Sequence, residues 1–403
     1  MNINNVIDHK NSKLAIIQTL RIHGSMSRIM LTEFTGFSRA TVSATISELM
    51  DMGIIKETKK QPSTGGRPAT TLELVPYSTC VVGACLDNNH WKIGAFDLLD
   101  HVINSIDIPV YTQDPIETFE VLKKNLLTFI DDLDRPILPL LGIGAPGLVD
   151  KNDHLIKAAP PRDWFNVNVA EILGNSIDWP IVVMNRHRAR GLAECRFGAG
   201  SDSSNIIYIG VGSGVRAGFY INRQLITDSM GGTGELGHTT VEPNGPLCSC
   251  GNEGCLQMLC SSPFIEKQIR KSIRFGETPG IHLATNGDMQ SIKATDVCRA
   301  ADRGDTLSIE VINKAATYLG ITMANLVNTF NPETIILGGT IPNASELFVE
   351  TSNKIMRQRA LPSIVSNVNV LSATLGDNGG ALGAANFALD RKLPIKYLNP
   401  ALS

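Results

Sequence analysis

One short stretch constrains this chain more tightly than any other. His238 is followed by Cys248, Cys250 and Cys255, an H-x9-C-x-C-x4-C spacing surrounded by Gly237, Pro243, Gly245, Pro246, Gly251 and Gly254. One imidazole and three thiolates complete a tetrahedral Zn²⁺ shell with no open position, the structural rather than the catalytic arrangement. The glycines let a short segment wrap the ion. The alternative is a set of free buried thiols, but four such ligands seldom converge so closely. A fold-stabilising metal is the expected role.

The rest of the chain fits a folded protein of a reducing compartment. Its 403 residues suggest two or three domains, and 43% hydrophobic against 19% charged residues excludes global disorder. The start, MNINNVIDHKNSK, has no apolar core of signal-peptide type. The longest weakly polar run, 136–149, is too short to span a membrane and is broken by Pro and Gly. A cytoplasmic protein without membrane insertion is expected, so its eight cysteines are not a disulfide framework.

Charge divides the chain unevenly. Up to Pro76, nine basic residues outnumber six acidic ones, net +3, which leaves −6 for the remainder of a chain at −3. Three capped helices are expected in this first segment. Ser12 opens one, with Leu14, Ile17 and Leu20 on a face and Gly24 at its end; Ser27 opens the next, with Met30, Leu31 and Phe34 inward and Gly36 closing it. Ser38 opens the third, with Val42, Ile46 and Leu49 inward and Gly53 closing it. The turn Thr35-Gly36-Phe37-Ser38 gives a helix-turn-helix layout. Outward from the third helix stand Arg39, Thr41, Ser43 and Ser47, with Ser38 at its start. Short donors and acceptors, one guanidinium and no acid in the first two turns suit phosphates and base edges in a groove. Strands at 54–58 and 70–74 flank a basic tip, Lys59 to Pro68, whose Arg67 suits a minor groove or a phosphate. A winged helix-turn-helix DNA-binding domain over 1–76 is preferred to a three-helix protein-interaction module.

From Tyr77 the chain alternates strands and helices, an α/β pattern. A hairpin is expected from 80–86 and 93–97, a helix over 116–133, and strands at 138–143, 181–184, 206–211 and 335–337. Glycines follow three of these strands, at Gly142 to Gly147, Gly210 to Gly214 and Gly338-Gly339. Singly they mark turns. Together in one α/β body they suggest two lobes around a nucleotide- or sugar-binding cleft.

These residues resemble the ROK family (repressor, open reading frame, kinase), in the repressor branch that includes the N-acetylglucosamine, Mlc-type and xylose repressors. The likeness covers nearly the whole chain. Its most specific part runs Gly234-Glu235-Leu236-Gly237-His238 through Cys248-Ser249-Cys250-Gly251-Asn252-Glu253-Gly254-Cys255-Leu256-Gln257, close to the family's GE-x-GH…C-x-CG-x-x-GCLE. Gly65-Gly66-Arg67-Pro68, Ala145-Pro146-Gly147-Leu148-Val149-Asp150 and Pro332 to Gly339 also match. The resemblance implies an N-terminal winged helix followed by a two-lobed, actin-like ATPase body. The first lobe is placed at 77–187, with a C-terminal helix at 388–403 packing back on it, and the second at 188–387. The stretch 376–389 reads as a glycine-led helix whose Ala381, Gly383, Ala384 and Ala385 allow close packing, and the resemblance implies that it too lies on the first lobe.

The departures bear on function. Where family kinases carry Asp-x-Gly-Gly-Thr, this chain reads Leu86-Asp87-Asn88-Asn89-His90-Trp91. Where they carry Asn-Asp, it reads Asn185-Arg186, and an arginine cannot serve as the base. Arg216 replaces the middle glycine of the second phosphate loop. The resemblance implies sugar-hydroxyl contacts for Asn185, Glu235 and His238, with Gln257 in place of a glutamate. His238 would bind metal through one nitrogen and a hydroxyl through the other. Arg186 and Arg216 invite two readings, a grip on the phosphate of a sugar phosphate or ion pairs within the chain, and ion pairing is preferred. The expected function is therefore a non-enzymatic, sequence-specific transcriptional regulator, a repressor of sugar genes. It would bind an inverted-repeat DNA operator as a homodimer or homotetramer, under a sugar or sugar-phosphate effector. The alternatives are a sugar kinase with an appended head and a repressor sequestered by a transporter protein.

Overall fold

The computed structural model describes residues 12–58, 70–87, 89–150, 152–174, 177–226, 231–274 and 290–392; the Lys59–Pro68 tip with Arg67 and the end of the expected 388–403 helix lie outside them. The chain divides into two compact units, residues 1–190 with 377–403, and residues 191–376.

The head of the first unit is built by α1 (Ser12–His23), β1 (Met26–Ser27), α2 (Arg28–Thr35), α3 (Arg39–Asp51), β2 (Ile55–Thr58) and β3 (Thr71–Leu74). The Ser27 hydroxyl accepts from the Met30 N–H and the Ser38 hydroxyl from the Thr41 N–H, and Gly36 ends α2 at φ 72°. Ile17, Leu20, Leu31, Val42, Ile46, Leu49 and Leu72 close the core of this head. Two expected core positions differ. Met30 is 42% exposed and Phe34 only half-buried, because an eight-residue helix turns only Leu31 and Thr35 fully inward. Strand β1 went unforeseen: Met26 pairs with Leu72 and Ser27 with Thr71, which makes the head's sheet three-stranded. Two residues carry too little pattern to be recognised as a strand.

The rest of the first unit centres on a five-stranded sheet, with order β11-β7-β4-β5-β6. It contains β4 (Cys80–Asp87), β5 (His90–Asp97), β6 (Val102–Pro109), α4 (Pro115–Asp131) and β7 (Ile137–Ala145). A small sheet of β8 (Leu148–Val149), β9 (Leu155–Ala159) and β10 (Trp164–Asn168) follows, then α5 (Val169–Gly174), β11 (Ile181–Asn185) and α6 (Arg186–Phe197), in which the first unit ends at Arg190. One face buries Val82, Ala84 and Leu86 with Trp91, Phe119, Leu122 and Trp164. The opposite face receives the C-terminal helix. A side chain at Gly83 would meet the Ala381 carbonyl, one at Gly142 the Ala384 carbonyl, and one at Gly380 the Cys85 sulfur.

The second unit repeats this plan with β12 (Ile206–Val211), β13 (Val215–Ile221), β14 (Gln224–Leu225), β15 (Thr334–Gly338) and β16 (Asn369–Ser372), in the order β14-β13-β12-β15-β16. In both sheets an antiparallel meander of three strands is extended from its first strand by two parallel strands. Helices α7 (Gln257–Cys260), α8 (Ser262–Arg274), α9 (Ala294–Asp302), α10 (Thr306–Phe330) and α11 (Glu346–Arg359) belong to this unit. Ile207, Ile209, Ile335 and Leu337 share one core with Ile265, Ile269, Ile312 and Leu319.

The C-terminal helix, α12, runs Asn378–Lys392 and belongs to the first unit, which matches the helix read over 376–389 and places its start earlier than the 388–403 segment. The reason is packing: Ala381, Ala384, Ala385 and Ala388, all fully buried, are the small residues that let it lie against a sheet with two glycines. The units accordingly change over at 190/191 and 376/377, rather than at 187/188 and 387/388. Among the described residues no helix is long and apolar enough to cross a membrane.

Candidate functional site

In the second unit His238, Cys248, Cys250 and Cys255 converge, with one ligand atom from each and all of these within 4.8 Å of one another. A tetrahedral ion with metal–sulfur bonds of about 2.3 Å holds its sulfurs about 3.8 Å apart. The Cys250 and Cys255 sulfurs are 3.7 Å apart, and the Cys248 sulfur is 3.7 Å from His238 Nδ1. The donor set and its spacing thus fit a tetrahedral metal. The loop closes through its backbone: Cys248 N–H donates to the Asn252 carbonyl at 2.8 Å and Gly251 N–H to the Cys248 carbonyl at 2.9 Å. Gly254, at φ 66°, lies where a side chain would strike the Glu242 carbonyl. The Tyr318 hydroxyl of α10 donates to the Glu242 carboxylate at 3.0 Å, tying the loop to the helical layer.

Two amides face the sulfurs. Gln257 Nε2 donates to Cys248 Sγ at 3.4 Å and Asn252 Nδ2 to Cys255 Sγ at 3.5 Å. Burial opposes ionisation of Cys248, but hydrogen bonds from the Cys250 backbone and the Gln257 amide outweigh it and lower its pKa. Burial and the neighbouring thiols push Cys255 up to about 12. A coordinated cation deprotonates such a thiol outright. Burial, then the Arg216 charge, lowers the pKa of His238, which favours the neutral imidazole that a metal ligand needs.

His238 divides its two nitrogens: Nδ1 lies toward Cys248, while Nε2 lies 3.8 Å from Glu235 Oε2. Glu235 in turn forms an ion pair with Arg216. Arg216, Glu235, His238 and Gln257 are therefore brought together, but Gln257 turns its amide to sulfur. The loop after β12 also closes on itself, since Gly212 N–H donates to the Gly214 carbonyl at 2.9 Å.

Asn185 and Arg186 belong to the first unit. Asn185 is buried, donates to the Gly147 carbonyl at 2.9 Å and accepts from the N–H groups of His187 and Arg188, so it caps α6. Arg186 lies 3.4 Å from Asp87 Oδ1, and Arg190 lies 2.7 Å from Asp87 Oδ2. Burial alone would raise the Asp87 pKa, but these guanidiniums hold it below the ordinary carboxylate range. Arg186 and Arg216 thus belong to different units, and each has its own carboxylate.

On the head, α3 presents Arg39, Thr41, Ser43 and Ser47 to solvent. Ser38 is used as the helix cap, and its hydroxyl lies 2.9 Å from that of Thr41. Lys13, Arg21, Arg28 and Lys56 each pair with a carboxylate. Arg39 pairs with none among the described residues, so it is the head's uncommitted cation there. Sequence reasoning missed what Arg21 and Glu194 do. The buried Glu194 carboxylate accepts from the N–H groups of Ala199, Thr374 and Leu375, an arrangement no local spacing signals.

Comparison with known proteins agrees with this architecture. The DNA-binding transcriptional dual regulator NagC of Escherichia coli (strain K12) is 31% identical over 382 residues, covering 94% of this chain and 91% of NagC. The crystal structure of a ROK family transcriptional regulator, homolog of the E. coli MLC protein, matches with a TM-score of 0.78 and 28% identity over 94% of this chain and 95% of that one. A ROK family glucokinase from Streptomyces griseus, solved with glucose and AMPPNP, matches with a TM-score of 0.69 and 25% identity; it covers 77% of this chain and 99% of its own, a smaller share of this chain than either regulator. With residues 94–391 matching the family model as well, the chain belongs to the ROK family.

Proposed function

We propose that this protein is a sequence-specific DNA-binding transcriptional regulator, a repressor of sugar uptake or metabolism genes under the control of a sugar or sugar-phosphate effector. The observation that carries the reading is the outer face of α3. It has an uncommitted Arg39 with Thr41, Ser43 and Ser47, on a helix capped by Ser38 after a tight turn from α2. Such a face enters a major groove, and two copies of the chain would place two such helices in an inverted repeat. The head is then a winged helix-turn-helix over 1–76, with Arg67 at the wing tip, and the working form is a homodimer or homotetramer. The ion at His238, Cys248, Cys250 and Cys255 is Zn²⁺ in a structural role.

The body senses a ligand rather than transferring phosphate. A guanidinium follows Asn185 where the family's kinases need a proton acceptor, and it is committed to Asp87. Glu235 and His238 remain to meet sugar hydroxyls. Arg216 is the group nearest them that an anionic effector would engage, whereas Asn185 and Arg186 of the first unit are taken up by the Gly147 carbonyl and Asp87.

Selection of duplexes from a random pool by the purified chain tests this reading. We expect a two-fold symmetric consensus, with affinity falling steeply as salt rises. Arg39→Ala should weaken binding to that consensus by about tenfold or more. No preference for any duplex would overturn the reading. A coupled assay with ATP and a panel of hexoses should show no turnover, and turnover would restore the kinase alternative. Titration calorimetry with sugars and sugar phosphates identifies the effector class; a phosphate grip requires that Arg216→Ala weaken the phosphorylated ligand selectively.

A further inference from the structure

A single turn between β5 and β6, Asp97 to His101, holds three parts of the first unit that lie far apart in sequence. The first is the head. Arg21 of α1 donates from Nε to the Leu98 carbonyl at 2.9 Å and from Nη2 to Asp100 at 3.1 Å, with both side chains nearly buried. The second is the link from the head to the body. The Tyr77 N–H donates to Asp97 Oδ2 at 2.9 Å, and the Tyr77 ring stacks on His101 with centroids 5.3 Å apart. The third is α12. Asn386, fully buried, donates to Asp100 Oδ1 at 2.8 Å and accepts from Arg21 Nη2. An outer link runs from Gln18 of α1 to Asp390 of α12 at 2.8 Å.

This is a closed polar network. Asn386 donates to the Asp100 carboxylate and to the Leu382 carbonyl, and accepts from Arg21. The Arg21 guanidinium meets a carbonyl, a carboxylate and two amide oxygens. Buried networks of this kind favour a single arrangement, because a slip of either helix strands polar groups away from water. The position of α12 in the chain gives the network its significance. Gly376 is the last residue of the second unit, and α12 begins at Asn378.

We propose that the Asp97–His101 turn is a coupling joint, through which α12 sets the orientation of the head and by which the effector state of the body reaches the operator. This rests on the DNA-binding reading above and deepens it, by naming how control is relayed. The joint acts by positioning, since none of its residues is placed on the DNA-facing side of α3.

The test uses the full-length chain and Asn386→Leu, which keeps the side chain's size and removes its links to Asp100 and Arg21. Hydrogen–deuterium exchange reads the joint without DNA. Exchange in Ser12–His23 should rise by about five- to 150-fold, the factor that loss of one buried hydrogen-bonding partner carries. Exchange in β4 and β7 should not change. On duplexes selected by the wild type, affinity for the full inverted repeat should fall about tenfold while affinity for one half-site stays the same. Gln18→Ala, which removes the outer link to Asp390 and one contact to Arg21 but leaves Asp100 and Asn386 in place, should give a smaller shift in the same direction, and it is the deciding variant if Asn386→Leu also loosens β4. Unchanged exchange in Ser12–His23 for both variants overturns the joint. So does an equal loss on half-site and full site, which would mean damage within the head. If the wild type selects no duplex, the DNA-binding reading fails, and the exchange data still decide whether the head is held by this turn.

Discussion

At the scale of single residues, the chemistry is decided by what each polar group faces. Gln257 resembles a sugar contact by its place in the sequence, yet its amide donates to a cysteine sulfur. Groups that hydrogen-bond to metal ligands typically change affinity by about 10–100-fold when removed. Gln257→Ala should therefore release zinc about tenfold faster to a chromogenic chelator, with no sugar present. Asp87 gives a pH prediction. Its folded pKa lies below its unfolded one, so its stabilisation is present above the unfolded value and is lost as pH falls through the folded value. Urea midpoints of wild type and Asp87→Asn should differ at neutral pH and converge as the medium is acidified below the ordinary carboxylate range. A difference that stays constant across that range would show that the arginines do not depend on the carboxylate charge.

At the scale of elements, close approach and burial govern stability. Helix α12 lies on its sheet because Gly83 and Gly142 leave room for the Ala381 and Ala384 carbonyls. Gly142→Ala should cost about 3 kcal/mol or leave the chain unfolded, because backbone on both sides cannot yield as a side chain can. Gly174, at the end of α5, faces open space where an added methyl group would stand, so Gly174→Ala should shift the urea midpoint little and serves as the control. Arg21→Ala breaks a nearly buried ion pair and should cost about 3 kcal/mol, read as a lower melting temperature.

At the scale of the whole molecule, two units of like strand order carry different attachments: the first bears the head, the second the metal loop. Zinc removal should therefore act locally. Chelation should raise hydrogen exchange in β12 and α10 and leave β4 and β7 unchanged, since the loop is anchored through Glu242 to Tyr318 of α10. The caps at Ser27 and Ser38, the apolar stripe of α3, the H-x9-C-x-C-x4-C spacing and the strand-to-glycine turns were legible in the chain. Each depends on groups within a few turns or one loop of each other, where the order of residues already implies proximity. What stayed hidden depends on distant partners. Met26 gains a strand only from Leu72, Arg21 is neutralised by Asp100 and donates to Asn386, and Arg216 finds Glu235. Local periodicity sets which face of an element is apolar, but not which distant polar group will meet a buried charge. That choice is made when the elements pack, because only then does desolvation force every buried guanidinium and carboxylate to find its partner.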